Sequence, residues 1–309
     1  MSSWWWVVAA AIVLALLALD LLVFHRHAEK ESTRRALLWS VIWVSIGLAF
    51  SLLVAGVRGW EACLEYLTAF LVEKALSVDN LFVFIALFSY FAVEPQYHHR
   101  VLFWGILGAI VTRGLFIFGG VALLAQFHWL LYVLGGLLVV TGARLAFVGE
   151  EVHPERNRLV RWASRVLPLQ RSYHGEHFLV KTDAGWRFTP LILVLIAIES
   201  TDVMFAVDSV PAVLAVSRDS FVVYTSNIFA ILGLRALYFV LAGALRSLRF
   251  LKPALVAILV LVGVKMLITD FVKVPVYFAL GTVAVILTVA TVASLVLPQP
   301  DAESGKEPE

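Results

Sequence analysis

The fold is decided by the stretch Leu193-Val-Leu-Ile-Ala-Ile-Glu199-Ser-Thr-Asp202-Val-Met-Phe-Ala-Val-Asp208-Ser209-Val-Pro211. It is long and apolar enough to cross a bilayer, yet it carries three carboxylates. One acid at the centre of a transmembrane helix costs roughly 2.5 to 3.5 kcal/mol, so three in one span require a compensating interaction. An earlier stretch has the same character: Phe70-Leu-Val-Glu73-Lys74-Ala-Leu-Ser77-Val-Asp79-Asn80-Leu-Phe-Val-Phe. We hypothesise that the two stretches face each other inside a membrane and form one cation site.

The composition is that of a polytopic membrane protein. Of 309 residues, 61% are hydrophobic and 15% are charged, against about 25% charged in a typical soluble domain. Apolar windows of about 20 residues recur along the chain and predict an all-α integral membrane domain with about nine spans. The predicted spans are 4–24, 37–57, 64–91, 101–124, 129–147, 190–216, 221–245, 253–269 and 274–297.

Positive charge is concentrated in alternate loops and predicts the orientation in the membrane. The loops after the first, fifth and seventh spans hold most of the arginines and lysines, whereas the loops between them hold few. Basic loops remain on the cytoplasmic side. We therefore expect a multi-pass protein of the bacterial inner membrane, with its N-terminus outside and its C-terminus in the cytoplasm. No soluble basic face that could bind nucleic acid is visible.

One cytoplasmic loop, 149–189, is long enough to fold. Leu159, Trp162, Ala163 and Val166 recur at helical spacing among arginines, which is typical of a basic amphipathic helix on an anionic leaflet. The residues from His177 onward predict a small hairpin with a glycine-containing turn. The simplest interpretation of the whole loop is a tether between two halves of the protein. The tail, 298–309, is short, polar and predicted to be disordered.

A short internal repeat relates the two halves. Val78-Asp79-Asn80 corresponds to Val207-Asp208-Ser209. Further along, Gly105-Ile-Leu-Gly108 followed by Arg113 corresponds to Ala230-Ile-Leu-Gly233 followed by Arg235. Each unit contains three predicted spans, and an odd number reverses the direction of the chain. The sequence thus predicts an inverted repeat, an arrangement in which transporters place their substrate site between the two units.

Regular helices would not bring all the acids of the two stretches together. At about 100° per residue, Glu199 and Asp202 share a face, whereas Asp208 lies roughly opposite Glu199. A single site therefore requires interrupted helices, and we expect local unwinding or kinks near 77–80 and 208–211. The proline in the second segment removes a backbone hydrogen bond, and an interruption would also free carbonyl oxygens for a cation.

The donor atoms of the two stretches are oxygens, which favours a hard divalent cation such as magnesium, calcium or manganese. We expect the ion to be the transported substrate, with no permanently bound cofactor. The same carboxylates could hold protons when the metal leaves, which would give a proton-coupled antiporter. The predicted metal ligands are Glu73, Asp79, Asn80, Glu199, Asp202, Asp208 and Ser209.

Other interpretations of the charged residues stay open. Intramembrane acids often form structural ion pairs, and Lys74, Arg113 and Arg235 are interpreted as structural counterions. Asp20 and Glu65 are possible accessory residues. The histidines fall in loops or at interfaces and there is one cysteine, so neither haem ligation nor dithiol chemistry is indicated. We expect the protein not to be an enzyme.

The acidic stretches, with Phe88-Ser-Tyr-Phe and Thr225-Ser-Asn227-Ile-Phe-Ala-Ile-Leu-Gly233-Leu-Arg235-Ala-Leu-Tyr238-Phe, resemble the TerC integral membrane protein family, in particular its Alx-like branch. The likeness covers about residues 10 to 290. It implies an all-helical fold related to LysE-type exporters and a role in manganese homeostasis, most simply efflux. Older descriptions of the family give tellurite resistance or membrane-bound redox modulation.

The sequence therefore predicts a membrane transporter that exports a hard divalent ion, with Mn²⁺ implied by the resemblance. Its partners would be the metal ion, protons and the lipid bilayer. The alternative is a non-transporting redox or stress modulator that acts through partners, and a third hypothesis is a scaffold that supplies metal to exported proteins. The buried acids favour the first, because a partner-binding protein has no need for carboxylates in its spans.

Overall fold

The computed structural model describes residues 4–24, 33–147, 157–170, 172–182, 185–244, 250–272 and 274–296. Within these ranges the protein is almost entirely helical, with one small hairpin. The elements are α1 (Trp4–Phe24), α2 (Thr33–Arg58), α3 (Trp60–Tyr90), α4 (Pro95–Gln126), α5 (Leu130–Phe147), α6 (Arg158–Val166), β1 (Leu179–Thr182), β2 (Gly185–Phe188), α7 (Leu191–Leu214), α8 (Ser220–Ile231), α9 (Leu234–Ala244), α10 (Leu251–Leu267) and α11 (Val276–Val296). The predicted tail and residues 148–156 of the loop lie outside the described residues.

The apolar helices support an integral membrane protein. Within the described ranges, five helical segments are long and apolar enough to cross a membrane, by length and composition: Arg34–Arg58, Pro95–Gln126, Leu130–Phe147, Ser220–Ala242 and Val276–Ser294. Helices α3 and α7 also have the length of a span but carry the acidic residues. Each predicted span falls on a helix or a helix pair, while the total of nine spans and the inverted repeat stay predictions.

The predicted interruptions of the acidic helices were wrong. Helix α3 continues through 77–80 and α7 continues through 208–211. Pro211 lies in the last turn of α7, and its missing N–H removes only the bond to the carbonyl four residues earlier without ending the helix. The break lies elsewhere, between α8 and α9, so the span predicted at 221–245 is two helices. Gly233 at this break has a φ of +82°, a conformation that glycine adopts without strain.

Loops that alternate along the chain meet at the same end of the bundle. At one end the contacts are Arg58–Asp219 (3.2 Å), Ser217–Glu65 (2.5 Å) and His128–Asp270 (3.0 Å). At the other end they are Arg100–Glu176 (3.3 Å), Tyr173–Phe91 carbonyl (2.5 Å) and Phe250 amide–Ser294 (3.1 Å). This grouping agrees with alternating spans. The cytoplasmic assignment of the second end rests on the pattern of positive charge.

Helices α5 and α10 cross closely because glycines line their contact. A β-carbon on Gly135 would lie 3.0 Å from the Gly263 carbonyl oxygen, and one on Gly263 would lie 2.8 Å from the Gly135 oxygen. Small residues let helix backbones approach in membranes, where packing rather than hydrophobic burial drives helix association. The crossing fixes α10 beside α5, which in turn packs against the acid-bearing α7.

The loop between α5 and α7 folds into a small cap over one end of the bundle. The predicted hairpin is confirmed: β1 and β2 pair antiparallel, with Leu179 opposite Phe188. The segment after α6 joins β2 through a bridge between Leu169 and Phe188. The predicted amphipathic helix is α6, which begins at an Asn157 cap. The folded loop contacts the ends of α3 and α4 through the Tyr173 and Glu176 bonds described above. It is therefore a folded element rather than an extended tether.

Candidate functional site

Arg113 of α4 lies at the centre of the charged layer. Its guanidinium is 1% exposed and contacts Glu73 of α3, whose side chain is 0% exposed. It also binds Asp202 of α7 with two nitrogens, Nη2 donating to Oδ1 at 3.1 Å and Nε to Oδ2 at 3.4 Å. Buried charges are stable only when paired and hydrogen-bonded. One cation therefore joins the two acid-bearing helices, and two carboxylates share one guanidinium.

Two further predicted ligands complete the surroundings of this guanidinium. Nη1 donates to the Ser209 hydroxyl on α7 at 3.4 Å. Asn80, with its amide oriented to satisfy its neighbours, accepts from Nη2 at 3.2 Å and donates to the Leu76 carbonyl at 3.1 Å. Four of the predicted metal ligands, Glu73, Asn80, Asp202 and Ser209, thus converge on the side chain of Arg113.

Glu199 points away from this cluster, toward the backbone of α4. Its carboxylate occupies the space that a β-carbon on Gly108 would fill. The side chain is half-buried, and its charge is close enough to Asp202 for the two acids to repel each other. The hydroxyl of Thr112 donates to the Gly108 carbonyl at 3.0 Å on the same part of α4. A glycine at position 108 is therefore required for Glu199 to lie where it does.

Asp208 points toward a third helix, α5. The Thr141 hydroxyl donates to its Oδ1 at 3.0 Å, and Arg144, about one turn further along α5, is near enough to interact electrostatically. Asp208 is half-buried. Glu199 and Asp208 therefore lie on opposite faces of α7, because nine residues at about 100° each amount to a half-turn beyond two full turns.

The remaining predicted residues have separate surroundings. The Lys74 ammonium donates to the Ala230 carbonyl at 3.0 Å, at the end of α8. Arg235 is 1% exposed on α9. Glu65 accepts a hydrogen bond from Ser217 and lines a cavity of about 290 Å³ at the end of the bundle predicted to face outward. The side chains of Asp79 and Asp20 lie outside the described residues.

The predicted single cation site stays a prediction, because the side chain of its ligand Asp79 lies outside the described residues. No three histidine, cysteine, aspartate or glutamate side chains of those residues come together as a metal site would require. The reason is the regularity of α7, which directs its three acids to α4, to Arg113 and to α5. Asp202 and Asp208 are also separated by about 9 Å along the helix axis.

Sequence reasoning named Arg113 as a structural counterion but did not foresee the other partners of the acids. Thr141 carries no motif that would have singled it out. Gly108 belongs to the repeat, but the sequence does not show that its missing side chain makes room for a carboxylate. Lys74 was interpreted as a counterion of acids, whereas its described contact is a backbone carbonyl.

An apolar helical bundle with a buried, partly compensated layer of charge defines an integral membrane protein. A sequence profile described as "Integral membrane protein TerC family" matches residues 58–302. The chain belongs to the TerC family.

Curated relatives agree with this assignment. The chain is 47% identical to "Uncharacterized membrane protein STKORF319" of Myxococcus xanthus, over 95% of this chain and 94% of that protein. It is 46% identical to "Putative membrane-bound redox modulator Alx" of Photorhabdus laumondii, over 92% of each chain. The protein of that name in Escherichia coli K12 is 44% identical over 89% of each chain. No solved structure matched the chain.

Proposed function

We propose that the protein exports a hard divalent cation, in the first instance Mn²⁺, across the bacterial inner membrane in exchange for protons. The observation that carries this proposal is an excess of carboxylates within the spans. Four described acids, Glu73, Glu199, Asp202 and Asp208, lie on α3 and α7, and the buried guanidinium of Arg113 contacts two of them. Isolated acids in a membrane interior mark ion and proton pathways.

The four acids fall into two groups, which differ in whether ion binding requires Arg113 to move. Glu199 and Asp208 are half-buried and belong to different faces of α7, so each can exchange an ion without displacing Arg113. Glu73 and Asp202 are the inner pair, and a cation that binds them competes with the guanidinium. Oxygen donors favour Mg²⁺, Ca²⁺ and Mn²⁺ over softer metals. The choice of Mn²⁺ among these rests on the resemblance to the TerC family rather than on geometry.

Proton exchange follows from the chemistry of the same groups. A carboxylate that releases a divalent ion in a poorly solvated site is left with an uncompensated charge, which a proton neutralises. Metal and protons can therefore occupy the same acids in turn.

The test is the manganese content of cells and the metal-dependent proton movement of everted membrane vesicles. We expect Glu199→Gln and Asp208→Asn to raise cellular manganese and to abolish proton movement, while Glu94→Gln, an exposed acid before α4, leaves both unchanged. Equal abundance and equal thermal stability of the purified variants would exclude a folding defect. Manganese levels and proton movement equal to those of the unmodified protein in both variants would refute the proposal.

The second candidate is a redox or stress modulator, which the printed name of the Alx relatives favours. Cys63, the single cysteine, is 1% exposed, so a redox effect would have to pass through metal level or a partner. The two functions separate in reconstituted vesicles of purified protein. Mn²⁺ flux in the absence of any partner supports export, whereas its absence, with the cellular phenotype retained in Asp208→Asn, supports modulation.

A further inference from the structure

Helix α6 has three distinct faces, which can be placed by the rotation of about 100° per residue. Val160 and Ala163 are buried, at 7% and 0% exposure. About 100° around the helix lie three exposed apolar side chains: Leu159, Trp162 and Val166, at 54%, 61% and 58% exposure. About 100° further lie three exposed arginines: Arg158, Arg161 and Arg165. Around the helix, the exposed apolar strip therefore lies between the face that packs on the protein and the strip of arginines.

The buried face holds α6 against α7. Asn157, which caps the helix by accepting from the Leu159 and Val160 amides, donates from Nδ2 to the Ser200 hydroxyl at 2.6 Å. Ser200 is nine residues into α7, about 13 Å along its axis. At the other end, the bridge from Leu169 to Phe188 brings the segment after α6 to the start of α7. Helix α6 therefore runs beside the first turns of α7 instead of beyond its end.

This position corresponds to the boundary of the bilayer. A helix of 24 residues such as α7 is about 36 Å long, against a hydrocarbon core of about 30 Å. With α7 centred in that core, its start lies about 3 Å outside the hydrocarbon and Ser200 about 10 Å inside it, so α6 extends from the headgroups into the outer acyl region. Interfacial helices bury an apolar face about 5–10 Å into this boundary and direct basic residues to anionic headgroups.

We propose that α6 is a binding surface for the anionic phospholipids of the leaflet at this end of the bundle. Leu159, Trp162 and Val166 contact the acyl chains, and the three arginines bind phosphate groups. The charge of the arginine strip is complementary to an anionic leaflet, and the apolar strip beside it explains why the occupant is lipid rather than a soluble anion. This surface does not depend on the proposed transport function.

The test measures how water reaches the two exposed sides of α6 in the full-length protein. Val166→Cys places a thiol on the apolar strip, and Ser164→Cys places one about 160° away around the helix. Each variant is reconstituted into nanodiscs of phosphatidylcholine, with and without phosphatidylglycerol, and labelled with a membrane-impermeant maleimide. The unmodified protein provides the background, because its Cys63 is buried.

We expect the thiol introduced by Val166→Cys to react more slowly than that of Ser164→Cys when phosphatidylglycerol is present. Each basic residue near an anionic surface contributes about a fivefold effect on binding. Replacing all three arginines by glutamine should therefore restore rapid labelling at position 166. The matched control, Lys181→Gln with Arg187→Gln, removes charge from the hairpin of the same cap and should change nothing.

Equal labelling of the two thiols in phosphatidylglycerol nanodiscs would overturn the proposal. So would slow labelling at position 166 that persists after loss of the three arginines, because the face would then be covered by protein. Neither outcome bears on manganese export, which the labelling does not measure.

Discussion

The two copies of the Gly-Ile-Leu-Gly type motif, in α4 and at the α8–α9 junction, have opposite backbone structures. Around Gly108, helix α4 is continuous, and the glycine makes room for the Glu199 carboxylate. Around Gly233 the helix breaks, and the glycine supplies a positive φ against the side chain of Trp43. One glycine thus provides space and the other provides backbone freedom.

The buried cations near the two motifs also differ, in the kind of group that they bind. Arg113 contacts carboxylates on α3 and α7. Lys74 donates to the Ala230 carbonyl, which lies in the last turn of α8, where carbonyls lack an intrahelical partner. An acid was expected to be the partner of every buried cation. The carbonyls at a helix end can therefore serve as the partner of a buried cation instead of an acid.

The largest effect is expected from Arg113→Gln. Loss of the guanidinium leaves Glu73 and Asp202 buried without a counter-charge, and breaking a buried ion pair in this way lowers the free energy of unfolding by about 3–5 kcal/mol. Thermal unfolding in detergent measures the loss. Arg34→Gln, at an exposed position on α2, should leave the unfolding temperature unchanged. A similar stability for both variants would mean that Arg113 does not join the two helices.

Gly233→Ala should have the next largest effect. Alanine at a positive φ is strained, and its β-carbon would lie 2.6 Å from Trp43 Cγ. Together these effects amount to about 2–4 kcal/mol. Gly119→Ala in α4, where a β-carbon meets nothing within 4 Å, is the control and should not lower the unfolding temperature. If the two alanine variants have the same unfolding temperature, the helix break between α8 and α9 does not depend on glycine at position 233.

Gly108→Ala should change function more than stability. The three atoms nearest to the new β-carbon belong to the end of the flexible Glu199 side chain, and alanine favours a helix by about 1 kcal/mol over glycine. The free energy of unfolding should therefore change by less than about 1 kcal/mol. Under the proposed function, Mn²⁺ flux should fall about tenfold, the equivalent of about 1.4 kcal/mol in ion binding. Unchanged flux would show that the position of Glu199 is unimportant.

The smallest effect is expected at Asp270, an exposed acid outside the helices that serves as a contrast to the buried layer. Hydrogen bonds from Tyr132 and then His128 lower the pKa of this carboxyl below its ordinary value of 3.8. The resulting stabilisation is present above that value and disappears as the pH falls through the lowered pKa. Asp270→Asn should therefore unfold at a slightly lower temperature near neutral pH, and the difference should vanish in acid. A constant difference across the titration would contradict this assignment.

The sequence was sufficient to predict the bundle and much of the cap. Hydropathy located the helices because each must satisfy its own backbone in lipid. The spacing of Leu159, Trp162 and Val166 predicted α6, and the turn residues predicted the hairpin. These features are local, so they can be recognised without knowledge of how distant segments pack.

The location of the helix break could not be predicted from the proline rule. A break was predicted at Pro211, but this proline lies in the last turn of a continuous α7. A better signal was the repeat itself. Gly108 precedes Arg113 by five residues, whereas Gly233 precedes Arg235 by two. The three missing residues are close to one helical turn, so the two copies cannot place their arginines with the same backbone.

The arrangement of the acids depended on tertiary contacts that no single stretch contains. Glu199 and Asp208 were expected to join the other acids, but helix rotation alone directs them to α4 and α5. The conditional prediction, that regular helices would keep the acids apart, agrees with the geometry.

The guanidinium of Arg113 contacts both Glu73 and Asp202, so it would compete with any metal ion for those carboxylates. Under the proposed function, an incoming ion would have to displace Arg113 first, and the free energy of that displacement would be subtracted from the intrinsic affinity. Binding at these carboxylates would then be weaker and more readily reversed, as a protein that must release the ion on the other side of the membrane requires.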